Sequence, residues 1–164
     1  MRTFLLTLPT VGTGWGSNRP EKNGRSIKRL FMNPEYFKTR FRITENQVHF
    51  PEEFVIITAY PTTGEKWEPS IIEEADQKLE EELKFRKAWI VRIEGYSPET
   101  GHAEQGWGTM MPIEAACEIG LRYRQDAIYH VKNDLLSVTY CDERRELVNI
   151  GSFEARLDDY NIIS

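Results

Sequence analysis

His102 and Glu104 stand two residues apart in "GHAEQGWGTM", residues 101–110. An imidazole titrates near neutral pH, and a carboxylate can orient it. In an extended chain, residues two apart share one face, so the pair could move a proton together. They are the candidate catalytic residues. Gln105 and Trp107 follow, with Gly101, Gly106 and Gly108 around them. The stretch reads as a Gly-rich loop, with Trp107 offering a flat indole that could stack on a base or a sugar. The plain alternative is a hairpin loop whose indole folds into the core. Two candidate ligands do not make a metal site, and none is expected.

A second group could hold an anion. "RYRQ", residues 122–125, closes an expected helix. Arg122 and Arg124 suit the negative end of the helix dipole, which is reason enough for their presence. A guanidinium fork also matches phosphate or carboxylate. Gln125 could read an amide or a base edge. Arg124 and Gln125 lead into the strand at Ala127, and would converge with Thr58 if the two strands are neighbours. A third group lies in "PTTGEKWEPS", residues 61–70, which joins a strand to a helix. Helix N-termini attract anions, and Glu65 and Trp67 could line a pocket there. The candidate binding set is thus Thr58, Trp67, Trp107, Arg124 and Gln125. His130, in an apolar strand, reads as a structural histidine.

The sequence lacks a nucleophile elbow, a dinucleotide fingerprint, HExxH and paired CxxC, so no strong enzyme signal is present. "GTGWGS" is followed by Asn18, Arg19 and Pro20 instead of the Lys and Ser/Thr of a phosphate loop. No cofactor is called for. A net charge of −5 and a pI near 5.3 argue against a broad nucleic-acid surface. Cys117 and Cys141 form no metal or disulfide framework and read as small core residues of a cytoplasmic protein. No apolar run is long enough to cross a membrane.

These groups need elements to position them. At 164 residues, with 40% hydrophobic and 29% charged, the chain fits a single globular domain over 1–164. "FVIITAY", residues 54–60, is a nearly continuous apolar run, the pattern of a central strand buried on both faces. Residues 70–86 read as a helix, with Ser70 and Glu73 as a capping box. Its stripe is Ile72, Ala75, Leu79 and Leu83. Residues 88–96 alternate as a strand, and "GWGTMM" is expected to pair back on it. "PIEAACEIGLRYR" is a second helix starting at Pro112. "AIYHV" and "LLSVTYC" form a hairpin through Asn133-Asp134, and "ELVNIGSF" adds a strand. "NPEYFKTRFRI" fits either a short helix capped by Asn33 or an alternating strand. A further strand is expected over 3–8, with a long loop over 9–29. The expected fold is α+β: a mainly antiparallel sheet with two helices on one face. Its order is ferredoxin-like (βαββαβ), with additional C-terminal strands.

"FVIITAYPTTG", "SPETGHAEQGWG", "IGLRYRQDAIYHV" and "DLLSV" together resemble the bacterial family known as domain of unknown function 3293. The resemblance covers about residues 35–153. It leaves 1–30 as an N-terminal extension with its own Gly-rich loop. The family pattern often has Asn-Pro after the first strand, where this chain has Pro61 and Thr62. The resemblance implies one compact domain of bacterial or phage type and carries no catalytic assignment. The expected function is a binding or interaction module for an anionic ligand such as a nucleotide, or for a macromolecular partner. One alternative is a phosphate- or phosphodiester-directed enzyme using His102 and Glu104. Another is a regulator or inhibitor acting through residues 1–30.

Overall fold

The computed structural model describes residues 32–45, 48–61 and 66–158. The expected strand over 3–8, the loop over 9–29 and Glu65 lie outside them. The described strands are β1 (Arg40–Ile43), β2 (Glu53–Thr58), β3 (Ile90–Tyr96), β4 (Ala103–Thr109), β5 (Ala127–Lys132), β6 (Leu135–Tyr140), β7 (Val148–Ser152) and β8 (Leu157–Asp158). Two α-helices join them, α1 (Pro69–Phe85) and α2 (Ile113–Arg122). The fold is α+β. The strands form one sheet in the order β7-β6-β5-β2-β4-β3-β1-β8. Every pairing is antiparallel except β1 with β8.

β7 and β8 occupy opposite edges, yet only one short 3-10 turn (Glu154–Arg156) separates them. A flat eight-stranded sheet would be roughly 34 Å across, at about 4.8 Å per strand. The five steps from Ser152 to Leu157 reach roughly 18 Å at most. The sheet must therefore curl. Arg156 clips the curl shut: Nη2 donates to Ile150 O on β7 at 2.8 Å, and Nη1 donates to Thr39 O beside β1 at 2.9 Å.

The curl fills its inner face with Phe41, Phe54, Ile56, Val91, Ile93, Val131, Leu136, Val138 and Phe153. Phe153 packs its ring 5.3 Å from Phe54 and 5.5 Å from Phe41. The other core unites Leu79 and Leu83 of α1 with Ala116, Cys117 and Ile119 of α2, over Val55, Ile57, Trp107 and Ile128. β2 contributes to both cores, so Phe54 to Ile57 are all buried and the run has no polar alternation. Each such side chain contributes roughly 1.5–3 kcal/mol by leaving water.

Two local expectations need correction. The capping box is not formed. Pro69 starts α1 one residue earlier, Glu68 is the N-cap, and no side chain caps it, so Ser70 lies inside the first turn. The stretch 101–108 is mostly strand, since β4 begins at Ala103. Gly106 and Gly108 serve close packing. A methyl on Gly106 would stand 2.8 Å from Ile57 O, and one on Gly108 2.8 Å from Ile93 Cδ1. "NPEYFKTRFRI" divides into both alternatives: a 3-10 turn at Pro34–Phe37, capped by Asn33 Oδ1, and then β1. The Asn133-Asp134 hairpin is as expected, with φ of 47° and 65°.

Candidate functional site

The pairing directions bring several chain segments to one end of the sheet. The C-terminal ends of β2, β3 and β6 lie there, with the N-terminal ends of β4, β5 and β1. Of the candidate residues, Thr58, His102, Glu104, Arg124 and Gln125 all fall at this end.

His102 Nε2 lies 2.9 Å from Glu104 Oε1. The spacing of two residues puts both side chains on one face at the start of β4, as the sequence suggests. The imidazole is 60% exposed and the carboxylate 32%, so the pair is open to a ligand. The Tyr60 ring meets His102 edge-on, with centroids 5.7 Å apart. Such a pair can shuttle a proton and hold the imidazole in one orientation.

Tyr60 also links this pair to the α2–β5 junction. Gln125 is 8% exposed, and its amide nitrogen donates to Tyr60 O and, at 3.2 Å, to Tyr123 O. Its amide oxygen accepts from Thr58 Oγ1 at 2.5 Å. The expected meeting of Thr58 and Gln125 is realised because β2 and β5 are neighbours. Their polar groups, however, satisfy one another and the backbone. Thr58 and Gln125 thus position the strand end rather than presenting a free amide.

Arg124 follows from the way α2 ends. Gln125 N–H donates to Gly120 O at 2.8 Å and Arg124 N–H to Leu121 O at 3.1 Å, a Schellman cap. Arg124 holds the left-handed position at φ 57°, which turns its exposed side chain off the helix. Among the described residues its guanidinium has no hydrogen-bond or ion-pair partner. Arg122, by contrast, is paired with Glu82.

Trp107 does not join this group. It lies mid-strand, 5% exposed, in the core beneath the helices. Its Nε1 donates to Asp76 Oδ1 at 3.1 Å, and the Arg92 guanidinium sits 3.7 Å over its ring. A strand alternates its faces, so Trp107 points opposite to Glu104 and Gly106. Trp67 is half-buried two residues before α1. His130 is 7% exposed and its Nε2 lies 2.9 Å from Glu53 Oε1, the structural role expected.

The sequence reasoning missed a set of tyrosines behind the His102–Glu104 pair. Tyr36 meets Tyr129 and Tyr140 edge-on at 6.3 and 6.4 Å. Tyr129 OH donates to Thr39 Oγ1 at 2.7 Å. Burial, then the charges of Asp126 and Glu104, push the Tyr36 phenol well above its ordinary range. Burial does the same to Tyr129, and Glu104 adds to it. Glu104 therefore stands where the inner face of the curl opens to solvent. Tyr36 is five residues from Phe41 in the "NPEYF" segment, and no local pattern announces that it will cover this opening.

No metal-ligating group of three or more His, Cys, Asp or Glu occurs among the described residues. Nor is any described helix long and apolar enough to cross a membrane. No family model, curated protein or solved structure matches the chain.

Proposed function

We propose that the protein is a binding module whose ligand site is the sheet end around Tyr60, taking a small anionic ligand such as a nucleotide. One observation carries the reading. Tyr60 packs its ring on His102 while its carbonyl is held by Gln125, whose neighbour in sequence, Arg124, has an exposed side chain with no partner among the described residues. An aromatic edge, an imidazole and an exposed guanidinium are the elements of anion recognition. Calorimetry with nucleoside phosphates and with inorganic phosphate tests it. Binding weakened at least tenfold by both Arg124→Ala and His102→Ala is expected. A wild-type protein silent to every phosphate at millimolar concentration ends the reading.

The 2.9 Å contact between His102 and Glu104 favours a second reading, acid–base chemistry on a phosphodiester. Its test is turnover of a chromogenic phosphodiester. That activity should follow a pH profile that His102→Ala abolishes, while ligand binding alone should leave no product.

Two finer structural readings belong with this proposal. The strands β2, β3, β4 and β5 with α1 and α2 are read as a ferredoxin-like unit with both helices on one face. The central order β5-β2-β4-β3 and the shared helix core support this. The chain is also read as sharing the domain of the uncharacterised family it resembles, and as acting in the cytoplasm. Three of the quoted motifs converge on the Tyr60 end, which supports the family reading.

A further inference from the structure

Cys117 and Cys141 belong to different elements and meet in the core. Cys117 faces inward from α2, while Cys141 directly follows β6, and neither is exposed. The Cys141 sulfur lies against α2 one turn beyond Cys117: a methyl on Gly120 would stand 2.7 Å from it. Residues three apart share a helix face, so this contact also brings the two thiols together. Cys117 Sγ donates to Tyr140 O at 4.0 Å, the carbonyl one residue before Cys141. The two thiols are free and buried, with no covalent bond between them.

A shallow cavity of about 550 Å³, wide open to solvent, borders Cys141 and is lined with it by Leu121, Asp142, Glu143 and Arg145. The neighbouring Cys141 thiol, helped by the Arg145 guanidinium, holds the Cys117 thiol below its ordinary range against the effect of burial. The neighbouring Cys117, with burial, pushes Cys141 up. A thiol that ionises more readily than usual, beside a second thiol, is the arrangement that sulfur oxidation uses.

We propose that Cys117 and Cys141 are a redox-sensitive pair that closes to an intramolecular disulfide under a peroxide oxidant entering through this cavity. The step balances. One thiol takes an oxygen from the peroxide, giving a sulfenic acid and one water. The second thiol displaces that hydroxyl as another water, and the S–S bond forms. The two sulfurs give up two electrons and the peroxide accepts them. The product staples α2 to the end of β6, and a dithiol reductant reverses it.

The test uses the full chain with no ligand, so it stands apart from the anion-binding reading. The native protein is treated with hydrogen peroxide, then alkylated under denaturing conditions and weighed intact. The expected result is a loss of about 2 Da, no alkylation and a monomer on a non-reducing gel. A peptide joining Cys117 to Cys141 and a Tm raised by several degrees should accompany it. Dithiothreitol should restore both thiols. Cys117→Ala and Cys141→Ala should each give no such product. Two alkylatable thiols after treatment, disulfide-linked dimers, or sulfinic acid in place of the bridge would each overturn the proposal.

Discussion

Gln125 Oε1 accepts a hydrogen bond from Thr58 Oγ1 at 2.5 Å, tying the first residues after α2 to the last of β2. Through its amide nitrogen the same side chain also holds the Tyr60 and Tyr123 carbonyls. Replacing Gln125 with Leu leaves three partly buried polar groups without this partner. The expected loss is about 1–3 kcal/mol in urea unfolding. Thr58→Val should cost less, about 1 kcal/mol, because the amide keeps its two carbonyls. Equal losses would show that the amide does not organise the strand end.

Gly106 and Gly108 make a second prediction. Adding a methyl at Gly106 meets the Ile57 carbonyl oxygen, which cannot move without disturbing the β2–β4 ladder. At Gly108 the nearest atom is Ile93 Cδ1, the flexible end of a side chain. Gly106→Ala should therefore destabilise by about 1–3 kcal/mol, and Gly108→Ala by less. Thermal or denaturant melts of the two variants settle the order. If these were only loop residues, both changes would be near neutral.

Arg124 separates stability from binding. A side chain at φ 57° carries backbone strain that glycine relieves. Arg124→Gly should stabilise the fold by on the order of 0.5–1 kcal/mol. If Arg124 is the anion ligand, the same variant loses affinity while gaining stability. A variant that melts higher and still binds phosphate as before would assign Arg124 to the helix end alone.

The partly buried tyrosines set an alkaline limit. Tyr36 and Tyr129 have phenols raised above the ordinary value near 10. The folded state holds these protons more tightly than the unfolded chain. Their contribution is complete below about pH 10 and is lost as pH rises toward the folded-state values. Phenolate absorbance should therefore show two tyrosines that ionise only together with unfolding. Tyr36→Phe and Tyr129→Phe should each remove one from that late step. Smooth ionisation of all tyrosines near pH 10, with the fold intact, would contradict the buried assignment.

What the sequence disclosed was local. The period of three and four in α1, the unbroken apolar run of β2 and the positive-φ pair Asn133-Asp134 each reflect neighbours within a few residues. His102 and Glu104 were legible for the same reason. The strand from Gly106 was legible, but its extension back to Ala103 was not, because glycine-rich chemistry resembles a loop. Here it answers crowding by Ile57 and Ile93, which are distant in sequence. The tyrosines behind Glu104 and the Arg156 clip depend on the sheet curling upon itself, which no window of sequence contains.

The curl also constrains how the chain can fold. β1 pairs with β8 through Phe41 and Leu157, and the Arg40–Asp158 hydrogen bond beside that pairing spans 118 residues. Contacts of such long range form late, because the entropy of loop closure comes before any reward. During synthesis the central strands can pair while β1 waits with one edge unclaimed. The ribosome must release the chain through residue 158 before the last seam is sewn. A nascent domain halted short of that point would present β1 as a sticky edge, which is the stage at which a chaperone would find it.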